Sequence, residues 1–368
     1  MASLFSAKWA WVALKFILKR REELKNIRKK GFVVVVIGCT NGLGAAVVRA
    51  VSDRLSTIES HTPHTVIMTT KKEEEGKLCL EKLRHPTVRV GFHPLDATSQ
   101  ESIAIFSQKL KNEFQNIDIL IHSMLPTAVQ LGYHDTTDNV VKMDYYETKT
   151  ITLALLPLMA LGGRIVIGAS SLAEMAIRWM NEGAFIRLFR ETSTVKDLDG
   201  IADKFVEEKL TAGPGGRRVY DSMAYPFAQA ARIALAQCMG NVMKISFPDP
   251  STRITVCSFA PGWCRTPTEG HRAPFSALEG AEEAVFAAFD AKAEDIQGAY
   301  IIGRRPARFG VAVAAIESEN KASMEIAILK KEKEKEYVET MIKQLVKKFP
   351  LAIEDGNPET CSTVDAAK

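Results

Sequence analysis

The sequence predicts an α/β protein built on a doubly wound parallel sheet, with helical N- and C-terminal extensions, and three observations carry that expectation. Short apolar, β-branched runs alternate with longer segments of helical composition along most of the chain, the order a parallel sheet with crossover helices requires. The first run, Phe32-Val33-Val34-Val35-Val36-Ile37, is apolar at every position, which suits a strand covered on both faces. It leads into a glycine turn, Gly38-Cys39-Thr40-Asn41-Gly42-Leu43-Gly44, and then into a helix from Ala45 onward. Such a turn lets backbone approach a phosphate, and the helix start offers free N–H groups and a positive dipole end to an anion. The spacing is G-x-x-x-G-x-G rather than the commoner G-x-G-x-x-G, so the turn alone fits a nucleotide site or a plain strand–helix junction.

The remaining elements follow in order. Residues 65–69 read as a second strand, 73–83 as a charged helix, and 88–95 as a third strand ending at Asp96. Residues 99–114 read as a helix, 117–121 as a fourth strand, 139–161 as a largely helical stretch, and 163–168 as a fifth strand. The polar segment 183–218, broken by Gly-Pro-Gly-Gly at 213–216, reads as an insertion. A long helix over 222–243, a sixth strand over 253–259, a helix over 277–291 and a short last strand over 299–302 complete the body. The expected organisation is a basic amphipathic segment 1–30, a dinucleotide-binding domain 31–310 and a helical extension and tail 311–368.

Composition bounds the function. The chain has 368 residues, 46% hydrophobic and 25% charged, an ordinary globular balance. A net charge of +4 is too mild to indicate nucleic acid, and no basic stripe is interleaved with aromatics. The six cysteines are scattered without C-x-x-C spacing and the seven histidines form no ligand pattern, so thiols in a reducing compartment and no metal site are expected. Residues 1–21 hold no acidic residue but carry Lys8, Lys15, Lys19, Arg20 and Arg21. The apolar stretch Trp9–Leu18 is interrupted at Lys15 and is too short to span a bilayer. Three readings stay open: a mitochondrial targeting segment, an interfacial helix on a membrane, or a helix packed on the protein or a partner. A mitochondrial or membrane-associated location is expected over a free cytoplasmic one, and secretion is not expected. The run Lys330–Glu336 reads as a solvated helix, and 355–368 as a flexible tail.

Further motifs bring in a family. Leu95-Asp96, Ile117-Asp118-Ile119-Leu120-Ile121, Gly163-Arg164-Ile165-Val166 leading to Ser170-Ser171, Ser222-Met223-Ala224-Tyr225 and Pro261-Gly262-Trp263-Cys264-Arg265-Thr266 follow the glycine turn in order. With it they resemble the short-chain dehydrogenase/reductase family, a Rossmann-like fold, and within it the monomeric carbonyl reductases that use NADPH. The resemblance covers roughly residues 31–308, and the segment 189–208 is similar to the extra helical segment of the carbonyl reductase branch. It implies a pyrophosphate site at Gly38, Thr40, Asn41, Gly42, Leu43 and Gly44, with Asp96 on the adenine and Lys71 on a 2′-phosphate. No acidic residue stands at Thr69 or Thr70 to favour a bare ribose, so the cofactor implied is NADP(H). His122, Pro261, Gly262 and Thr266 complete the cofactor groove, with Thr266 on the nicotinamide amide. Ser171 is implied to polarise a substrate carbonyl and Tyr225 to donate the proton.

The sequence also departs from that pattern. The lysine four residues after the tyrosine is Gln229, and the helix asparagine that anchors a relay water is Asp144. Ionising an unperturbed tyrosine at neutral pH costs about 4 kcal/mol, which a nearby cation reduces and a glutamine does not. The family's N-N-A-G reads His122-Ser123-Met124-Leu125, and the threonine before the first glycine is Ile37. Arg232, two turns beyond Tyr225, is read as a contact to solvent or a partner, and a new His122–Asp144 acid/base pair is one conceivable rescue. Two functions follow. One is a family member that binds NADP(H), without turnover, and serves as an accessory subunit, docking on an assembly or membrane through 1–30 and 311–368. The other is an active NADPH-dependent carbonyl reductase with Tyr225 as acid and Ser171 as polariser.

Overall fold

The computed structural model describes residues 30–39, 42–123, 137–173, 176, 194–267 and 273–307. Among the described residues there are ten strands: β1 (Val33–Ile37), β2 (Thr65–Thr70), β3 (Arg89–Pro94), β4 (Ile117–His122), β5 (Met159–Gly168), β6 (Thr255–Phe259), β7 (Cys264–Arg265), β8 (Phe275–Ser276), β9 (Tyr300–Ile302) and β10 (Arg305–Ala307). Eight of them form one sheet in the order β10-β9-β6-β5-β4-β1-β2-β3, while β7 and β8 pair separately. Every pairing in the large sheet is parallel except the β9–β10 hairpin. The strand order reverses between β1 and β4, so a crevice opens beyond their C-terminal ends, where ligands of such sheets bind.

The valine run of β1 explains why the sheet needs two cover layers. Val35 and Ile37 enter one core, Val34 and Val36 the other, and all four are at most 1% exposed. The second core is closed by helix α1 (Gly42–Ser56), α2 (Glu73–Lys82) and later helices. The first is closed by α3 (Gln100–Glu113), by α4 (Thr137–Val141) and α5 (Glu147–Leu155), which a π-helical turn at Lys142–Tyr146 joins, and by α6 (Val195–Thr211) and α7 (Pro214–Ser246). On the α1 side, α8 (Ala277–Val285) runs into a second π turn, Phe286–Asp290, before the short α9 (Ala293–Ile296).

Three details differ from expectation. The helical stretch expected to reach 161 ends in a 3-10 turn at Leu156–Leu158, and β5 begins at Met159. Met159 pairs with Ile117 but Arg164 with Ile119, so extra β5 residues bulge out, and Gly162 takes the left-handed φ of 75° there. Secondly, the Gly-Pro-Gly-Gly break is a helix start: Gly213 caps α7 and Pro214 takes its first turn, where a missing N–H costs nothing. Thirdly, β7, β8 and β10 were not foreseen, because two or three residues carry no readable period. The β9–β10 turn holds Gly303 and Arg304 at φ of 60° and 56°, the primed hairpin conformation. The expected terminal segments lie outside the described residues, apart from Lys30. Among the described residues, no helix is long and apolar enough to cross a membrane.

The second half of the expected insertion is α6, started by a reciprocal Thr194–Asp197 capping box. It docks on α7 through Phe205, whose ring stacks on Phe227 at 3.9 Å between centroids. Both rings are buried, so Phe227→Ala is expected to lower unfolding free energy by about 3–5 kcal/mol in urea denaturation. A loss below about 1 kcal/mol would show that this docking is not part of the core.

Candidate active site

The crevice has two ends, and its first is built by the glycine turn. Gly38 and Gly42 take φ of 83° and 53°, a conformation open to glycine at little cost. A Cβ on Gly44 would stand 2.0 Å from the Gly38 carbonyl oxygen, so glycine there lets α1 pack directly on the end of β1. One on Gly42 would touch Thr266 at 3.1 Å, which places the expected nicotinamide contact beside the turn. The turn is held from both neighbouring strands. The Gly38 N–H donates to Thr69 Oγ1 at 3.2 Å and Cys39 N–H to the Thr69 carbonyl at 2.9 Å. Ser123 Oγ donates to the Ile37 carbonyl at 2.7 Å and approaches the Gly38 carbonyl at 3.1 Å. Thr69 and Ser123 were thus understated by the sequence: they are the braces of the cradle. Thr40 and Asn41, assigned to the pyrophosphate, lie outside the described residues, and Leu43 is a core residue of α1.

At the expected adenosine end, Lys71 Nζ sits 3.0 Å from Asp96 Oδ2. The two residues assigned to the 2′-phosphate and the adenine therefore meet each other. Asp96 also accepts from the Thr98 N–H and hydroxyl, and these bonds, with Lys71, hold its carboxyl below the usual range. Lys71 is largely exposed, so turning toward a phosphate would cost it little. A carboxylate that sequence reading missed lies nearby. Glu147, at the start of α5, is buried, and burial followed by the Asp96 charge raises its pKa to about 7. Its Oε1 accepts no hydrogen bond among the described residues.

The other end holds a fully buried polar cluster. Tyr225, Gln229 and Arg232 fall at i, i+4 and i+7 on α7 and so share one stripe. Gln229 Nε2 donates to Asp144 Oδ2 at 2.8 Å, and Arg232 Nη1 stands 3.7 Å from Asp144 Oδ1. Asp144, Gln229 and Arg232 are each 0% exposed. This corrects the reading of Arg232 as a solvent or partner contact. Its guanidinium is interior, and it is electrostatically coupled to both Asp144 and Tyr225. Burial, opposed by Arg232 and Gln229, raises the Asp144 pKa to about 7. The π-helical turn carries Asp144 into this position, as such turns often do at functional sites.

The conceivable His122–Asp144 pair is not formed. The His122 ring meets Thr152 Oγ1 at 2.9 Å, and that hydroxyl donates to the Thr148 carbonyl, so the imidazole Nε2–H is the donor. Burial, then Arg232, lowers the His122 pKa to about 3 and keeps it neutral. Ser171 is exposed in the turn just past the C-terminal end of β5, and Tyr225 is half-buried against the first core. Pro261 is buried, and Gly262, at φ 78°, passes against the Phe275 ring of β8. Met124 and Leu125 lie outside the described residues. No group of three or more metal-ligating side chains occurs among the described residues. The described cysteines are buried, free thiols.

Comparison with known proteins points the same way. A family profile described as short chain dehydrogenase matches residues 32–182. Carbonyl reductase (NADPH) 1 of Bos taurus is 26% identical over 277 residues, 74% of this chain and 96% of the relative. The Homo sapiens protein of the same name matches to the same extent. Among solved structures, salutaridine reductase from Papaver somniferum superposes with a TM-score of 0.58 at 19% identity, over 73% of this chain and 99% of that one. The carbonyl reductase Sniffer of D. melanogaster gives 0.52 at 16% identity, over 76% and 100%. These two structures speak for the fold.

Glu147 yields a signed pH test. Its folded pKa, about 7, exceeds its ordinary 4.5, so the folded chain holds the proton more tightly and stability falls as pH rises through that window. Glu147→Gln removes this loss. Its melting temperature is expected to exceed the wild type's by a few degrees at pH 8, with the gain gone at pH 4. An equal gain at both pH values would assign the effect to packing.

Proposed function

The chain belongs to the short-chain dehydrogenase/reductase family, and we propose that it binds NADP(H) in the switch-point crevice while lacking the usual lysine-dependent proton relay. The observation that carries this reading is the Gln229–Asp144 hydrogen bond. The side chain at the lysine position is neutral, and its amide nitrogen is held by a buried carboxylate. It is therefore withdrawn from the role of moving or stabilising a proton near Tyr225.

The residues for nucleotide binding fit the group. The braced glycine turn leaves backbone open where side chains would fill the space, and the start of α1 adds its dipole. Lys71 offers a cation for a 2′-phosphate, and Thr69, Thr70 and Lys72 place no carboxylate at the end of β2. The name of the carbonyl reductase relatives, which specifies NADPH, supports the same choice. The cofactor would supply hydride to a carbonyl carbon. Ser171 would hydrogen-bond the carbonyl oxygen and Tyr225 deliver its proton, but with the relay gone Tyr225 is reprotonated slowly. Carbonyl reduction is therefore slow. The segments beyond the body, which are basic at the N-terminus, supply docking surface for an accessory role.

Fluorescence titration is expected to show NADPH binding more tightly than NADH. Lys71→Glu should reduce that preference by about tenfold or more. Turnover with quinones and aldehydes should be slow, and Gln229→Lys combined with Arg232→Met should raise it. The second change is needed because a lysine at 229 would otherwise share Asp144 with a buried guanidinium. Rapid wild-type turnover that Tyr225→Phe abolishes would contradict the lost relay, and absence of NADPH binding would contradict the cofactor.

A further inference from the structure

We infer that Arg232 is a positioning residue for Tyr225: its buried guanidinium, anchored by Asp144, is the positive charge that stabilises the phenolate left when Tyr225 gives up its proton. This goes beyond the lost relay. It separates two tasks, charge stabilisation and proton return, and assigns only the first to Arg232.

Geometry carries the inference. Side chains on a helix lean toward its N-terminus, so a long side chain seven residues after Tyr225 leans back toward it. Gln229 Nε2 and Arg232 Nη1 approach the two oxygens of one carboxylate, at 2.8 and 3.7 Å. The guanidinium therefore stands level with the Gln229 side chain, one turn from Tyr225. Asp144, Gln229 and Arg232 are out of water, where a charge acts over greater distance and salt screens it little. The coupling of Arg232 to Tyr225 and to His122 places its charge at this end of the crevice.

Several ionisable groups on the elements packed against α7 are engaged elsewhere. From α6, Asp199 accepts from Tyr145 and Lys149, Asp203 from Tyr146, Glu208 from Tyr220, and Lys209 pairs with Asp221. From the sheet, Arg164 donates to the Ala287 and Ala291 carbonyls, and burial pushes the Cys257 thiol up to about 12. Among the described residues, the Arg232 charge acts on Tyr225 and on neutral His122, and Asp144 stands beside Arg232. Asp138 lies on α4 and resides two turns from Asp144.

The test is a tyrosinate titration by ultraviolet difference absorbance, each protein being referenced to its own Tyr225→Phe variant. Burial drives the Tyr145 and Tyr146 phenols above the ordinary range, so they do not ionise first. Removing Arg232 alone would strand the Asp144 charge, so the comparison is made with Asp144→Asn present. Asp144→Asn alone is expected to lower the Tyr225 midpoint, because Arg232 then acts unopposed. Adding Arg232→Met should raise it by roughly one to three units, and Arg232→Lys in the same background should hold it low. Equal midpoints in Asp144→Asn with and without Arg232→Met would overturn the inference and leave Arg232 a counter-ion for Asp144. NADPH titration of the same samples reports on the cofactor reading separately, since the phenol titration needs no bound nucleotide.

Discussion

Burying a guanidinium sets terms that the surrounding elements must meet. The cost of removing an ion from water is several kcal/mol, and a carboxylate in contact offsets it only in good geometry. Arg232, wholly inside the protein, has the Asp144 carboxylate as its counter-charge at 3.7 Å, and Asp144 accepts a hydrogen bond from Gln229 at 2.8 Å. Several features follow from this one pair. The helix leading to α5 takes a π turn where Asp144 enters the core. The Gln229 amide is committed to the carboxylate. His122, buried and close to the same positive charge, stays neutral and turns to Thr152. Replacing either ion alone takes the counter-charge from the other, which costs stability.

The two ends of the crevice accordingly obey different rules. At the glycine turn the governing quantity is space: Gly44 is tolerated by no larger side chain, and Thr69 and Ser123 fix the backbone that would meet a phosphate. At the tyrosine the governing quantity is charge, held by residues out of reach of solvent. A protein can keep the first end while the second is rebuilt, because space and charge are set by different residues.

Much of the fold was legible in the sequence, for identifiable reasons. The β1 valines, the apolar fourth strand and the glycine turn each carry a local signal strong enough to stand alone, and the parallel order followed from their alternation with helices. The bulge in β5 and the hairpin at Gly303 depend on partners distant in sequence and had no local signal. In the site, motifs suggest Ser171, Tyr225, Asp96 and Lys71 as candidates, whereas the braces Thr69 and Ser123 act through backbone contacts that motifs do not encode. Arg232 was misread because an arginine on a helix is ordinarily solvated. Its spacing from Tyr225 and Gln229 was visible, but its burial depended on a π turn that brings Asp144 across from another helix. Glu147 was missed for the same reason.

A chain that keeps the glycine cradle should bind NADPH whatever the fate of proton transfer at Tyr225. Isothermal titration of the full chain with NADPH, beside Gly44→Val, tests it most directly. Saturable one-to-one binding is expected for the wild type and none for the variant, whose added side chain would collide with the Gly38 carbonyl. No binding by a wild-type chain that unfolds cooperatively would contradict it.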